Sequence, residues 1–554
     1  MTLKTLRPWQ AECLNKARAW FTSKNGDQFL INAAPGSGKT IAACTIAKTL
    51  IDDNAIDRVV VIAPRAEVVN QWAADFDLVT DRYMGKVTGS DENLTKTSMD
   101  FCATWAAIQG LEEQMRSICE GQRILLVCDE HHHAALDASW GIAAGGAFEH
   151  ATYTLLLTGT PIRSDGNASV WLSYDTHGAI KITEDATYTL TYGEAVDLGY
   201  CRPATFHRHE GNFKVDPGDG NVISISGKKP AVLAPELKRI PGLESALNFY
   251  KLACTPQYEK NGVTPLLTGF QASMIENAAS KLDDLRDRMP NAGGLIIAPN
   301  IAMAEYMAEV IEIIEGEPAS IVHSQMPNAD TKIKAFRKNN DRWLVSVAMV
   351  SEGVDIKRLR VLVYLPNAMT ELAFRQAIGR VVRTDNSEDD TRAYVVMPFL
   401  EKFEQYARRV EDEMPTSTSS KQEQTTTKKC PVCSSECAKA AKVCEHCGHE
   451  FPERVVRKKE CLECSEMNEI CAESCVACGA SFLSSFELSL NEALRVGAIV
   501  RGMDLGEEAV AEGEAIANKV RAQILLSGDE KLVNIIRLLP EESWSHLRKI
   551  LSTS

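Results

Sequence analysis

The sequence predicts an α/β protein built from two doubly wound parallel-sheet units in series, followed by two small cysteine-rich ribbons and a helical tail. Three observations carry this. Through the first 400 residues, nearly continuous Val/Ile/Leu runs alternate with helical stretches. A glycine-rich loop ending in Lys-Thr separates one such run from a helix. Ten of the seventeen cysteines fall between Cys430 and Cys478, in a repeated spacing.

The apolar runs are the strand candidates. The first set is "DQFLIN" (27–32), "RVVVIAP" (58–64), "RILLVCDE" (123–130) and "YTLLLTGTP" (153–161). The second is "GGLIIAPN" (293–300), "ASIVHSQ" (319–325), "WLVSVAMV" (343–350), "LRVLVYLP" (359–366) and "AYVVMP" (393–398). Continuous rather than alternating hydrophobicity is expected of strands covered on both faces of a parallel sheet. Segments such as 40–52 and 301–316 read as the helices between them. These patterns divide the chain into a first lobe (1–205), an irregular or β-rich connector (206–245) and a second lobe (246–414). A linker poor in apolar residues (415–429), the cysteine block (430–484) and a helical C-terminal region (485–554) follow.

"FLINAAPGSGKTIAACTIA" places Pro35, Gly36, Ser37, Gly38, Lys39 and Thr40 between a strand and a helix. Glycines let backbone N–H groups wrap a phosphate, and a helix N-terminus favours the anion. Lys39 would reach the terminal phosphates and Thr40 would hold Mg²⁺. Ala33 stands where the usual pattern begins with glycine. Such a loop needs a carboxylate at a neighbouring strand end, and "RILLVCDE" offers Asp129 for Mg²⁺ and Glu130 to orient the attacking water. His131, His132 and His133 follow directly. They lack the i, i+4 histidine pair flanking a glutamate that a helical zinc site requires.

With these residues in place, the first 400 residues resemble a superfamily 2 helicase of DEAD/DEAH type, whose motifs appear in order. "LRPWQ" (6–10) resembles the adenine-sensing motif, with Gln10 reading the base. "VIAPRAEVVNQW", "VTGS" and "CATWAAI" match segments that touch the nucleic-acid backbone, which implies contacts from Arg65, Thr88, Gly89 and Thr104. "DEHH" is the Mg²⁺ and water motif, and "TGTP" is the coupling motif with Thr158 and Thr160. "SEGVDI" implies a nucleic-acid contact from Ser351, with Gly353 and Asp355 facing the nucleotide. The text around "TGTP" and "SEGVDI" is most similar to the XPB-like and restriction-motor branch, whose members usually act on DNA. The resemblance implies two RecA-like lobes that close on ATP and Mg²⁺.

"RQAIGRVVR" closes the set. Gln376, Arg380 and Arg383 are spaced i, i+4 and i+7, one face of a helix, with Thr370 as an N-cap. That face would bring Arg380 and Arg383 to the γ-phosphate as arginine fingers. His132 would couple the lobes by hydrogen-bonding toward Gln376.

"CPVCSSECAKAAKVCEHCG" and "CLECSEMNEICAESCVACG" repeat with a shift of 31 residues. Cys430, Cys433, Cys444 and Cys447 recur as Cys461, Cys464, Cys475 and Cys478. Each copy is C-x₂-C-x₁₀-C-x₂-C, the spacing of two knuckles around one structural Zn²⁺. His446 and His449 align with Ala477 and Ala480, which argues against them as ligands, and Cys437 and Cys471 have no cysteine opposite them in the repeat. The ribbons or the tail would offer surfaces for a protein partner.

Formal net charge is −15, so nucleic acid must meet a local basic surface rather than the molecule as a whole. No run of about 18 apolar residues and no apolar leader core is seen, so a cytoplasmic protein without a membrane partner is expected. The functional expectation is an ATP-dependent DNA helicase or translocase in repair, recombination or replication. RNA remodelling, or a recognition and defence module whose ribbons recruit partners, are the alternatives.

Overall fold

The computed structural model describes residues 6–23, 26–64, 66–89, 94, 99–108, 110–130, 146–159, 184–216, 223–228, 247–259, 261–323, 326, 328–347, 356–384, 389, 391–414, 427–451, 458–461, 464–469, 472, 474–480 and 485–489. Every strand expected from a continuous apolar run is present. The first lobe holds β1 (Gln28–Ala33), β2 (Arg58–Ala63), β3 (Met84–Val87), β4 (Asp100–Thr104), β5 (Ile124–Asp129), β6 (Tyr153–Thr158) and β7 (Thr187–Leu190). They form a seven-stranded sheet in the order β3-β4-β2-β5-β6-β1-β7, and every pairing is parallel. The burial of β2 explains its composition: Val59, Val61 and Ala63 join one apolar cluster, and Val60 and Ile62 join another. Alternate residues point to opposite faces, and helices cover both.

The second lobe repeats this plan with β8 (Ala204–His209), β11 (Gly293–Ile297), β12 (Ser320–Val322), β13 (Trp343–Ser346), β14 (Leu359–Tyr364) and β15 (Ala393–Pro398). The order is β12-β13-β11-β14-β15-β8, again all parallel. The expected connector at 206–245 therefore starts inside a strand: β8 runs beside β15 from Ala204 opposite Ala393 to His209 opposite Pro398. Its sequence, ATFHRH, is too polar to read as a buried strand. Tertiary partners make it one: Arg208 pairs with Glu404 at 2.6 Å and Glu411 at 2.8 Å, and His209 Nε2 lies 2.7 Å from Ser273 Oγ.

Within the connector, β9 (Asn212–Asp216) and β10 (Ile223–Ser226) form an antiparallel pair. In the cysteine block, β16 (Thr427–Lys429) pairs with β17 (Glu436–Ala438), and β18 (Lys458–Glu460) with β19 (Met467–Glu469). The two hairpins share one register: Lys428 faces Cys437 as Lys459 faces Asn468. The tail departs from expectation where it is described. Residues 485–489 are a strand, β20 (Ser485–Ser489), parallel to β9. Phe486 and Leu488 already alternate at period two, and an available strand edge outweighs the local helical pattern. The helical expectation for 490–554 lies outside the described residues. Among the described residues, no helix is long and apolar enough to cross a membrane.

Candidate nucleotide site and metal centres

The phosphate loop leaves the C-terminal end of β1 and enters the helix Lys39–Asp52. Gly36 and Gly38 have φ of 77° and 97°, which side chains resist, so both glycines are required by the turn. The loop is held from the N-terminal helix Pro8–Ser23 and the residue before it. Gln10 Nε2 donates to Gly38 O at 2.9 Å, and Trp9 Nε1 to Ser37 O at 3.2 Å. Arg7 Nη1 donates to the same Ser37 oxygen at 2.7 Å.

Lys39 lies beside the two carboxylates. Its Nζ donates to Ala33 O at 2.8 Å. Burial pushes its ammonium below the ordinary lysine pKa, while Glu130 and then Asp129 pull it back up. A partly desolvated ammonium over a glycine-rich loop fits a phosphate, and so does Ser37, whose buried Oγ has no hydrogen-bond partner among the described residues. Asp129 ends β5 and accepts from Trp72 Nε1 at 2.8 Å. Glu130 follows with φ of 51°, an uncommon conformation for a residue with a side chain. Thr158 is fully buried at the end of β6, and Gly159 after it leaves room for the lysine, since a Cβ there would lie 3.0 Å from Lys39 Nζ.

The second lobe closes this site through the helix Glu371–Val381. Thr370 caps it as expected, accepting from Ala373 N at 3.2 Å. Gly379 sits so tightly on the phosphate loop that a Cβ would come 2.9 Å from Pro35. Gln376 and Arg380 are buried on this helix. Arg383 differs from the expectation of one continuous helical face. The helix ends at Val381 with Val382 as its cap, and Arg383 lies beyond it, bridged antiparallel to Cys201. Its side chain still reaches the loop: a Cβ on Gly36 would meet Arg383 Cγ at 2.9 Å.

The two cysteine quartets form as the spacing implies. In each of Cys430, Cys433, Cys444, Cys447 and Cys461, Cys464, Cys475, Cys478, the four sulfurs lie within 4.8 Å of one another. The sulfur pairs Cys430–Cys447, Cys433–Cys444, Cys461–Cys478 and Cys464–Cys475 stand at 3.5 to 3.6 Å, close to the roughly 3.8 Å between thiolates placed tetrahedrally around Zn²⁺ at about 2.3 Å. Both knuckle turns use the same bonds: Cys444 N to His449 O and Cys475 N to Ala480 O are each 2.8 Å. Gly448 and Gly479 carry φ of 72° and 73°. His446 and His449 are in neither quartet. Cys437 is also outside, yet its thiol donates to Cys444 Sγ at 3.6 Å. Asn468, its equivalent by the 31-residue shift, donates to Cys475 Sγ at 3.6 Å.

Two family models match the chain: "Type III restriction enzyme, res subunit" over residues 3–163 and "Helicase conserved C-terminal domain" over residues 277–385. Each lobe thus carries one of the two matched domains. An uncharacterized protein of Mycobacterium leprae is 31% identical over 397 residues, covering 71% of this chain and 62% of that protein. One from Mycobacterium tuberculosis is 32% identical over 395 residues, covering 70% and 61%. The chain thus spans about three fifths of the length of these relatives. A DNA 3'-5' translocase of Sulfurisphaera tokodaii is 21% identical over 393 residues, covering 69% and 80%. Among solved structures, a fragment of a type I restriction enzyme HsdR subunit from Vibrio vulnificus matches at 14% identity with a TM-score of 0.49, covering 74% and 67%.

The structure gathers Gln10, Pro35, Gly36, Ser37, Gly38, Lys39, Thr40, Asp129, Glu130, Thr158 and Arg383 around one crevice at the strand ends. Thr88, Gly89 and Thr104 lie apart from it, at the C-terminal ends of β3 and β4 on the far side of the sheet. Arg65, His132, Thr160, Ser351, Gly353, Asp355 and Cys471 lie outside the described residues. Sequence reasoning missed Arg7, Trp72, Cys201 and Arg202. Arg7 stands inside "LRPWQ" and carried a signal; the other three act only through contacts distant in sequence.

The quartets lead to a direct expectation: two Zn²⁺ per purified chain by elemental mass spectrometry. Cys444→Ser should release one, because a ribbon this small is folded largely by its metal, worth on the order of 10 kcal/mol. Cys437→Ser should keep both, since Cys437 contacts Cys444 without belonging to the quartet. Iron, or a zinc lost from Cys437→Ser, would refute the ligand assignment.

Proposed function

We propose that this chain is an ATP-dependent translocase or helicase acting on DNA, powered by closure of the two lobes on ATP and Mg²⁺. The observation that carries the reading is the shared crevice. Gly379 of the second lobe packs on Pro35, and Arg383 lies over Gly36, within the electrostatic reach of Lys39. A site completed by two lobes can convert ATP turnover into their relative movement. Lys39 and the loop amides would hold the phosphates, with Thr40 and Asp129 toward Mg²⁺. Glu130 would orient water, and Arg380 and Arg383 would stabilise charge on the transferred group. His132 and Gln376 would carry lobe coupling. Thr88, Gly89 and Thr104, at neighbouring strand ends, would meet the nucleic-acid backbone together with Arg65 and Ser351.

The DNA preference is supported by the restriction-subunit family match and by the distant relative named as a DNA translocase. ATPase assays with single-stranded, double-stranded and forked DNA and with RNA test it. DNA should stimulate turnover more than RNA, with a steep loss between low and moderate salt because phosphate contacts release counterions. Stronger stimulation by RNA would replace the reading with RNA remodelling. Tight protein partners without stimulation by either would replace it with a recruitment module.

A further inference from the structure

Three consecutive residues between the lobes touch three parts of the nucleotide site. The Tyr200 ring lies under the Arg7 guanidinium at 4.3 Å, and Arg7 holds Ser37 O of the phosphate loop. Cys201 donates its thiol hydrogen to Pro35 O at 3.1 Å. Arg202 turns the other way, into the second lobe. Its backbone N–H donates to Val382 O at 2.7 Å, and its guanidinium donates to Arg383 O. These carbonyls lie at the cap of the helix Glu371–Val381 and just past it, where no further helical turn supplies them with partners.

Arg202 is itself held firmly. Its side chain is 0% exposed and pairs with Asp389 at 2.6 Å. The same carboxylate oxygen accepts from Arg360 at 2.8 Å, and Arg360 is fixed by Thr391 Oγ1 at 2.8 Å. Arg202 Nη1 also donates to Leu359 O at 3.1 Å, and Tyr192 OH donates to Arg202 O at 2.7 Å. Burial pushes the Arg202 guanidinium down to about 9, and its buried Nε has no hydrogen-bond partner among the described residues. A cation this desolvated is poor evidence of stabilisation; fixing one geometry is the better account of it.

We propose that Arg202 is a positioning residue for Arg383: it clamps the backbone at Val382 and Arg383 so that the Arg383 side chain lies against the phosphate loop. Through Cys201 and Tyr200 the same strap registers that position against Pro35 and Ser37. This rests on the motor reading above. The reason for a large effect is geometric. Arg383 stands past the helix cap, so without the Arg202 guanidinium its carbonyl loses that side-chain bond and only the backbone bond from Arg202 N–H to Val382 O remains; a displacement of about 1 Å at such a group costs on the order of 10²-fold.

The test is nucleic-acid-stimulated ATPase of the full chain for wild type, Arg202→Lys, Arg383→Ala and the double variant. Radiolabelled ATP keeps low turnover measurable, and the affinity for a fluorescent ATP analogue is read in parallel. Lysine keeps the charge and the backbone bond to Val382 O but cannot serve Arg383 O, Leu359 O and Asp389 together. Arg202→Lys should lower kcat at least about 10-fold with nucleotide affinity within about two-fold, and should add nothing in the Arg383→Ala background. A merely structural arginine would lower both backgrounds by the same factor, and that additivity would overturn the proposal. So would full turnover in Arg202→Lys. If that variant fails to fold, Asp389→Asn, which keeps side-chain volume, is read by the same criteria. Wild type without stimulated turnover would sink the motor reading and this inference together; stimulated wild type with an intact Arg202→Lys would sink only this one.

Discussion

Arg380→Ala and Arg383→Ala should each nearly abolish nucleic-acid-stimulated ATP hydrolysis while the protein stays folded. Groups that stabilise charge on a transferring phosphoryl contribute about 10³–10⁵ in rate. The geometry says why two arginines so close in sequence would act differently. Arg380 is on the helix and buried, so its loss also removes packing between that helix and its surroundings. Arg383 is past the helix end and laid on Gly36, so its truncation removes a contact to the loop with little effect on the core. Arg383→Ala is therefore the cleaner test. ATPase turnover with and without DNA, beside a melting curve, decides it. Stimulation that persists in both variants would mean that the second lobe does not complete the site.

The second large effect is expected from Glu130→Gln. Nucleotide affinity should stay close to wild type, and turnover should fall by at least about 10², because an amide cannot take up the proton of an oriented water. The glutamate sits one residue beyond the end of β5, beside Asp129, and its left-handed backbone turns the chain sharply there. The substitution keeps side-chain size, so the local backbone has no new reason to move. Single-turnover hydrolysis with a parallel binding measurement separates the two quantities. Near-normal hydrolysis would remove Glu130 from the role, and lost binding would move it to nucleotide or metal retention.

Much of this was legible in sequence, because the chemistry uses local patterns. The loop 35–40 needs glycines at two consecutive kinks and a lysine one residue later, so its residues are contiguous and recognisable. Each cysteine quartet is built from two tight turns, and turn geometry is set within a few residues. That is why a 31-residue shift in sequence reappears as the same hairpin register and the same turn bonds in both ribbons. Strands buried on both faces announce themselves as continuous Val/Ile/Leu. β3, β4 and β7 are shorter or more polar and were not expected as strands. Parallel neighbours in the sheet recruit them.

By itself the sequence determined the two α/β units, the phosphate loop with its carboxylate partners, the arginine-bearing segment and the eight thiols of the ribbons. Each is a statement about neighbours within one or two turns of chain, where spacing and periodicity dictate geometry. The tertiary structure alone decided that the polar segment 204–209 is a strand of the second sheet, that Arg383 leaves its helix, and that 485–489 pairs with β9. It also decided that Tyr200, Cys201 and Arg202 join the phosphate loop to the end of that helix. These contacts span from about 160 to more than 270 residues of chain, and no periodicity records them. Arg202 in sequence is one more arginine before a proline. Its role follows from a buried carboxylate almost two hundred residues away, and only the folded chain brings Asp389 within 2.6 Å of it.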